Sequence, residues 1–441
     1  MTTQEQVKDV VSQVLADKAD KGGIKRVVWI GAGGSNGGNY PAQYFMEHEA
    51  TQVVSSSYTS NEFVHATPAY VNENTLAVVV SMRGTKETIV AAQVAKDHGA
   101  STIAIYVDES GLTEVCDYKI QYDSLAVDES CMGRTNSAVV TMIAMELTQQ
   151  TEGYAEYETA MAAFDLVDPI YRKAVEYTRP LAAKWAEQNA DKPCINVMAQ
   201  GPLFGAAYVF SICNVQEMLQ IDSCTINTCD FFHGPFEILD KRTSLFQLIS
   251  VGRSRCNDER GIRFVNQYGG ERVYQLDAKE LGLNDIKDSV SEYFNHLIFA
   301  PILNNVYMRA LSAVTHKDYM TRRYMWKLDY SLRRFTQRRN GSTLQTHLSG
   351  NLPFSFSGMT RRSMPLRFKA PCSLRWVFAG VAKASASPWP RCGTWRRSAL
   401  GDSPSHWGQV TLHQVGAYEP DPFAPMGCSG RADFPVCRFV S

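Results

Sequence analysis

The stretch Arg26-Val-Val-Trp-Ile-Gly31-Ala-Gly-Gly-Ser-Asn36 is an apolar, β-branched run that ends at once in a glycine-rich turn. A run of this kind suits a strand buried on both faces. Successive glycines let the turn lead straight into a helix whose first N–H groups are free to meet an anion. Reading outward, residues 4–20 form an amphipathic helix before the strand, and 38–49 a helix after it. Thr75-Leu-Ala-Val-Val-Val-Ser81 is a second β-branched run, followed by a turn and a helix from about Glu87 to His98. Ser101-Thr-Ile-Ala-Ile-Tyr-Val107 is a third strand, and residues 134–149 are helical. Strands alternating with helices at this spacing predict a parallel sheet covered on both faces.

After about residue 165 the pattern begins again. A helical stretch covers 170–190, Cys194-Ile-Asn-Val-Met-Ala199 is a strand ending in Gln200-Gly201, and 203–220 is a helix. Leu245–Val251 and Glu271–Leu276 are strands flanking a helix over 257–267. At an offset of about 169 residues, Gly33 falls near Gly201, Leu76 on Leu245 and Asp108 on Asp277. Strand, glycine turn and helix recur in one order, as in an internally duplicated doubly wound α/β domain.

Two turns in the first half suit an anion. In the first, Gly33, Gly34 and Ser35 offer backbone N–H groups and a hydroxyl at a helix start. A dinucleotide-binding loop needs its third glycine at position 36, which is Asn36, and no Gly-Lys-Ser/Thr follows to make a P-loop. The second turn, Ser81-Met-Arg-Gly-Thr85-Lys-Glu-Thr88, is dense in hydroxyls and also opens a helix. Either turn alone reads as a capped helix start, since Ser and Thr are ordinary caps. Two such turns after neighbouring parallel strands point to a ligand at the carboxyl edge of the sheet.

The 441 residues suit two or three domains. A net charge of −1 points to no particular partner, and in particular to no nucleic acid. That balance hides an asymmetry: residues 331–441 hold 15 Lys+Arg against 4 Asp+Glu, and the part before them is correspondingly acidic. Eleven cysteines lie scattered without a CxxC pair. Cys224 and Cys229, with His233 nearby, come nearest to a metal spacing, but no second pair follows, so no metal is expected. Scattered free thiols fit a reducing compartment. No signal-peptide pattern opens the chain, and no run of about 18 apolar residues is read. A cytoplasmic protein without a membrane span is therefore expected.

On these turns the chain resembles the sugar isomerase (SIS) family. The family's usual first loop is a Gly-Ser turn after strand one, and its second is Ser-x-Ser-Gly-x-Thr-x-Glu-Thr. The chain's second loop is one residue shorter, with Arg83 at the second serine and Thr85 matching the phosphate-binding threonine. Within the family the chain is most similar to the fructosamine 6-phosphate deglycases of the fructose-asparagine and fructoselysine types. The segments that carry this are Tyr40-Pro-Ala, Gln149-Gln-Thr-Glu-Gly-Tyr154, Phe231-Phe-His-Gly-Pro-Phe-Glu-Ile238, Asp277-Ala-Lys-Glu-Leu-Gly-Leu283 and Thr321-Arg-Arg-Tyr-Met-Trp-Lys327.

The resemblance implies an α/β fold of two tandem doubly wound parallel-sheet SIS domains, 1–160 with the phosphosugar loops and 161–330 with the catalytic elements. It implies hydrolysis of a fructosamine 6-phosphate to glucose 6-phosphate and a free amino acid, without a metal or redox cofactor. Another SIS phosphosugar isomerase and a non-catalytic sugar-phosphate sensor are the competing functions. Glu217 and His233 are the implied catalytic pair, Glu217 moving the proton between C1 and C2 and His233 assisting ring opening. Taken alone, Glu217 is a solvated helix-face residue and His233 a turn histidine. Gly33, Gly34, Ser35, Ser81, Thr85 and Thr88 are the implied substrate contacts. Arg83 and Lys327 are further candidates, and Glu237 is expected to hold the His-Gly-Pro turn by accepting backbone hydrogen bonds. A homodimer whose active sites draw on both subunits is implied.

Residues 331–441 do not share the resemblance. They contain ten of the 18 prolines, four of the seven tryptophans and no isoleucine. Neither helix nor strand periodicity persists there. Composition so far from globular usage reads as a disordered or aberrant tail, such as translation in a wrong frame produces.

Overall fold

The computed structural model describes residues 1–328; the basic tail lies outside the described residues. The strands are β1 (Arg26–Gly31), β2 (Val54–Thr59), β3 (Thr75–Val80), β4 (Ser101–Tyr106) and β5 (Tyr118–Gln121) in the first half. In the second they are β6 (Cys194–Ala199), β7 (Asp222–Asn227), β8 (Leu245–Ile249) and β9 (Val273–Asp277). The first sheet has the order β2-β1-β3-β4-β5 and the second β7-β6-β8-β9, with every pairing parallel. Each sheet steps one way from its first strand and then back across it. A switch point therefore lies between β1 and β3, and an equivalent one between β6 and β8.

The central strands are those whose apolar runs are legible. Every residue of β3 and β8 is buried, as two-sided cover by helices requires. The strands that hydropathy does not announce are β2, β5 and β7, all at sheet edges. Val54-Ser-Ser-Ser-Tyr-Thr59 is polar because one side of an edge strand meets solvent or short side chains. Its serines are used: Trp29, wholly buried, donates its indole N–H to Ser55 Oγ at 2.8 Å, and Ser55 donates on to Gln43 Oε1 at 2.8 Å.

Between the sheets, Tyr157–Asn189 forms one 33-residue helix that carries Pro169 and Pro180 in its interior. The sequence reading covers only 170–190 of this helix, and proline ordinarily interrupts a helix. Here the apolar stripe from Val167 through Ile170, Ala174 and Ala182 to Trp185 stays buried across both prolines, so packing outweighs the lost hydrogen bonds. A second element, the helical segment Asp288–Thr315, corrects the expectation that no stretch has the length and apolarity of a membrane span. It is 28 residues long with a mean hydropathy of 1.3 in its most apolar window, yet 72% of that window is buried inside the protein. Tyr307 within it meets Trp185 edge-on and Phe246 at a tilt, with ring centroids 5.5 and 4.9 Å away. One hydrophobic cluster runs from Val7, Trp29 and Phe45 in the first half to Phe246, Phe294 and Leu311 in the second.

The two halves touch most closely where the helix Gly34–Gly38, after β1, meets the helix Phe204–Val209, after β6. A Cβ on Gly205 would fall on Tyr40 and lie 2.8 Å from the Gly37 carbonyl oxygen. A Cβ on Gly37 would fall on Val209 and lie 3.2 Å from the Gly205 carbonyl oxygen. Only hydrogen fits on either side. Gly205→Val is therefore expected to destabilise the fold by about 1–3 kcal/mol, the usual cost of overpacking. Urea unfolding followed by circular dichroism measures this, and an unchanged midpoint would show that the helices can separate freely.

Candidate active site

The first anion loop lies at the carboxyl end of β1, directly at the switch point. Gly33 takes φ +54° and ψ −121°, a conformation closed to side chains with a Cβ. From it the chain turns into the short helix: Ser35 N–H donates to Ala32 O at 3.1 Å and Gly37 N–H to Gly33 O at 3.0 Å. Among the described residues no hydrogen bond engages the Ser35 hydroxyl, which is half-buried.

The second loop follows β3, across the switch point from the first. Its hydroxyls form a chain: Ser60 Oγ bonds Thr88 Oγ1 at 2.8 Å, and Thr88 Oγ1 bonds Thr85 Oγ1 at 2.8 Å. Thr85 N–H donates to Ser81 Oγ at 3.2 Å. Thr88 and Ser81 are buried whereas Thr85 is exposed, so Thr85 presents the hydroxyl and Thr88 and Ser81 hold it in place. Arg83 stands apart. It is exposed and pairs through Nε with Asp108 Oδ2 at 2.9 Å, on the outer side of the loop.

A third element was not singled out from the sequence. The helix Asn136–Glu152 begins against the first loop: a Cβ on Gly38 would fall on the Asn136 side chain. Thr135 stands at its N-cap without a side-chain cap bond. Its hydroxyl donates instead to Met132 O at 3.1 Å. Uncapped N–H groups at a helix start favour an anion. The signal available in the sequence was Arg134-Thr-Asn-Ser137, a hydroxyl- and amide-rich turn before a helix, like the two loops already recognised.

The second sheet has the same switch point but fills it from within. Asp258, fully buried, accepts Ser250 N–H at 3.0 Å, Ser250 Oγ at 2.7 Å and Gln200 Nε2 at 2.9 Å. Burial pushes its carboxyl above the ordinary range, against the hydrogen bonds that favour the ion. A side-chain carboxyl thus takes the donors an anionic ligand would need, and the open anion loops belong to the first sheet.

Glu217 lies on the π-helical stretch Phe210–Met218 that continues the helix after β6. One turn before it, Cys213 Sγ packs against Gly33 and Gly34 of the first loop. Glu217 lines a cleft of about 470 Å³ with Gln216, Gln220, Asp222, Arg322 and Arg323. The carboxylate Oε1 accepts Arg322 Nε at 2.8 Å. Neighbouring Gln220 has φ +57° and accepts Arg323 Nη2 at 3.2 Å. The Cys213 thiol is pushed up to about 12, by burial first and by the Glu217 charge second, with a hydrogen bond from the Gly34 backbone opposing.

His233 sits elsewhere in the chain. The helix bearing Glu217 ends at the start of β7, where Gln216 Nε2 donates to Ser223 O at 2.6 Å. The turn bearing His233 follows the other end of β7. Six strand residues separate the two ends, a span of about 20 Å. Glu217 and His233 of one chain are therefore not neighbours, and His233 is exposed. Its turn is closed by backbone bonds, His233 N–H to Asp230 O at 2.8 Å and Glu237 N–H to Gly234 O at 3.0 Å. Glu237 is exposed, and among the described residues the bonds given for this turn run between backbone groups, without its carboxylate. Lys327 is exposed and is not among the residues lining the Glu217 cleft.

A thiol pushed so high stays protonated near neutral pH and reacts slowly, because the thiolate is the nucleophile. At pH 8, iodoacetamide is expected to label the exposed Cys224, Cys229 and Cys256 well before Cys213. Peptide mass spectrometry reads the order, and early labelling of Cys213 would mean that its contact with the glycine loop opens readily.

The SIS domain model matches residues 23–149, the first sheet with both anion loops. The chain is 33% identical over 309 residues to fructosamine deglycase FrlB of Bacillus subtilis (strain 168), covering 70% of this chain and 93% of that protein. It is 27% identical over 225 residues to fructoselysine 6-phosphate deglycase of Escherichia coli (strain K12), covering 50% of this chain and 64% of that protein. A solved structure of a phosphosugar-isomerase-type protein from Salmonella typhimurium LT2 superposes with a TM-score of 0.71 at 36% identity, over 75% of this chain and 99% of that one. The pair of parallel sheets, the open loops of the first and the extent of these similarities together make the chain a member of the SIS-domain fructosamine deglycase family.

Proposed function

We propose that the protein hydrolyses a fructosamine 6-phosphate, of the fructoselysine or fructose-asparagine type, to glucose 6-phosphate and the free amino acid. The observation that carries the proposal is the adjacency of two features. The Gly33–Gly34 loop at an open switch point packs on Cys213, and Glu217 follows one turn later at the cleft it shares with Arg322. The phosphate would take the N–H groups of Gly33, Gly34 and Ser35 and the hydroxyls of Ser35 and Thr85.

Once the ring is open, the substrate has a C2 carbonyl and an amine on C1. A base removes a C1 proton, giving an enaminol, and a proton returned to C2 leaves a C1 imine. Water adds to C1, and the resulting carbinolamine collapses to the aldehyde of glucose 6-phosphate as the amine departs. Side-chain acids and bases suffice for each transfer. Glu217 serves the C1/C2 transfer and His233 the hydroxyl protons.

Since one chain holds Glu217 and His233 at opposite ends of β7, the working unit is a homodimer in which each site takes His233 from the other subunit. The lobes are residues 1–160 and 161–330, and the enzyme acts in the cytoplasm.

Turnover is measured by coupling glucose 6-phosphate release to its dehydrogenase, with 6-phosphorylated fructoselysine and fructose-asparagine as separate substrates. Glu217→Gln and His233→Asn are each expected to abolish turnover while glucose 6-phosphate still binds. After the two inactive variants are mixed and exchange subunits, activity returns to about a quarter of wild type, since half the dimers become mixed and each has one intact site. No recovery on mixing would place both residues in one chain's site, and full activity in Glu217→Gln would remove it from the reaction.

Arg322 and Arg323 grip the Glu217 cleft only a few residues before the basic tail. Ending the chain at Tyr330 is expected to raise kcat by relieving that segment of the extension; equal kcat for the two lengths would show that the tail leaves the cleft unaffected.

A further inference from the structure

We infer that Arg322 is a positioning residue for the reaction, holding the Glu217 carboxylate at the angle from which it reaches the substrate. The inference rests on the assignment of Glu217 to proton transfer.

The geometry is specific. Arg322 is 7% exposed although the segment around it, Thr321 to Leu328, is largely at the surface. Its guanidinium spreads over three contacts. Nε donates to Glu217 Oε1 at 2.8 Å, Nη1 donates to the Tyr319 carbonyl, and the group lies over the Trp326 ring, 5.5 Å from its centroid. The backbone before it is fixed by an Asp318 turn, in which Met320 N–H and Thr321 Oγ1 donate to the Asp318 carboxylate at 2.9 and 2.7 Å. Arg322 is thus anchored independently of Glu217.

Glu217 is the opposite case. Among the described residues Arg322 supplies the one hydrogen bond its carboxylate accepts. A glutamate has three rotatable side-chain bonds, and Glu217 is 26% exposed at the mouth of a cleft. Without Arg322 nothing on its own helix would select one rotamer. With it, Oε1 is pinned and Oε2 is left for a substrate proton. A planar fork suits this task better than an ammonium, because several fixed N–H directions are satisfied by different partners at once.

A positioning role separates from general support of the fold by its kinetic signature. The test uses the full chain and the coupled glucose 6-phosphate assay. Arg322→Gln is expected to lower kcat about 100-fold, the scale of a small misplacement of a reacting group. KM should stay within about twofold, because the substrate's phosphate is held elsewhere. Arg322→Lys, which keeps the charge but loses the fork, is expected to recover only part of kcat. Arg322→Gln is also expected to bind glucose 6-phosphate with wild-type affinity, since Arg322 acts on the carboxylate and not on the phosphate.

Wild-type kcat in Arg322→Lys and Arg322→Gln would overturn the inference and leave the role of Glu217 standing. So would weakened glucose 6-phosphate binding, or a rise in KM with kcat kept, either of which would make Arg322 a substrate contact or a structural support. Should Arg322→Gln fail to fold, Arg322→Lys alone decides through the same split between kcat and KM. Normal turnover in Glu217→Gln would instead refute the assignment of Glu217.

Discussion

The structure hangs on a crossing at which neither helix can carry a side chain. Gly37, after the first strand of one sheet, and Gly205, after the first strand of the other, face each other backbone to backbone. Their spacing in sequence is the one that separates Arg26 from Cys194, the first residues of β1 and β6. The two halves therefore meet through equivalent elements, as a pseudo-symmetric contact requires. Close approach at this point brings the π-helical stretch Phe210–Met218 onto the Gly33–Gly34 loop, with Cys213 filling the gap. Adding a methyl group to the crossing would push the stretch that carries Glu217 away from the loop that would hold the phosphate.

That contact also explains how one topology, used twice, yields one site. Both sheets reverse strand order at a crevice where an α/β protein can bind a ligand. In the first sheet the crevice is left open by glycines and by hydroxyls that hold one another, Ser60 to Thr88 to Thr85. In the second, Asp258 reaches in and takes the N–H and O–H donors for itself. The second half contributes the other end of its architecture: the helix that leaves β6 delivers Glu217 at the start of β7, where the segment through Arg322 and Arg323 closes over it. On the proposed reading, anion binding and proton transfer are divided between the halves and joined by the glycine crossing.

The same division accounts for the isolation of His233. It follows the carboxyl end of β7, an edge strand, and its turn is closed by its own backbone beside a cluster of Phe231, Phe232, Phe236 and Phe264. An imidazole on an exposed turn is open to a neighbouring molecule, as the shared site proposed above requires. The Arg260 guanidinium over the Phe232 ring, 4.0 Å from its centroid, adds to the rigidity of this face.

Several features were settled by composition and order of residues alone. The central strands declare themselves because a strand covered on both faces must be apolar throughout, and the two anion loops because glycines and hydroxyls cluster directly after those strands. The quoted motifs carry the family as well. What needed the third dimension was whatever depends on a neighbour distant in the chain. The edge strands β2, β5 and β7 lack a continuous apolar run, so their pairing partners, and not their own residues, define them. Thr135 and Asn136 come beside the first loop only because their helix meets Gly38. Glu217 and His233 lie 16 positions apart, close enough in sequence to suggest one site, and the length of β7 between them separates them in space. The partner of Glu217, Arg322, stands 105 positions away. No local pattern links the two, because a side-chain ion pair across that distance is chosen by packing and by nothing in the intervening sequence.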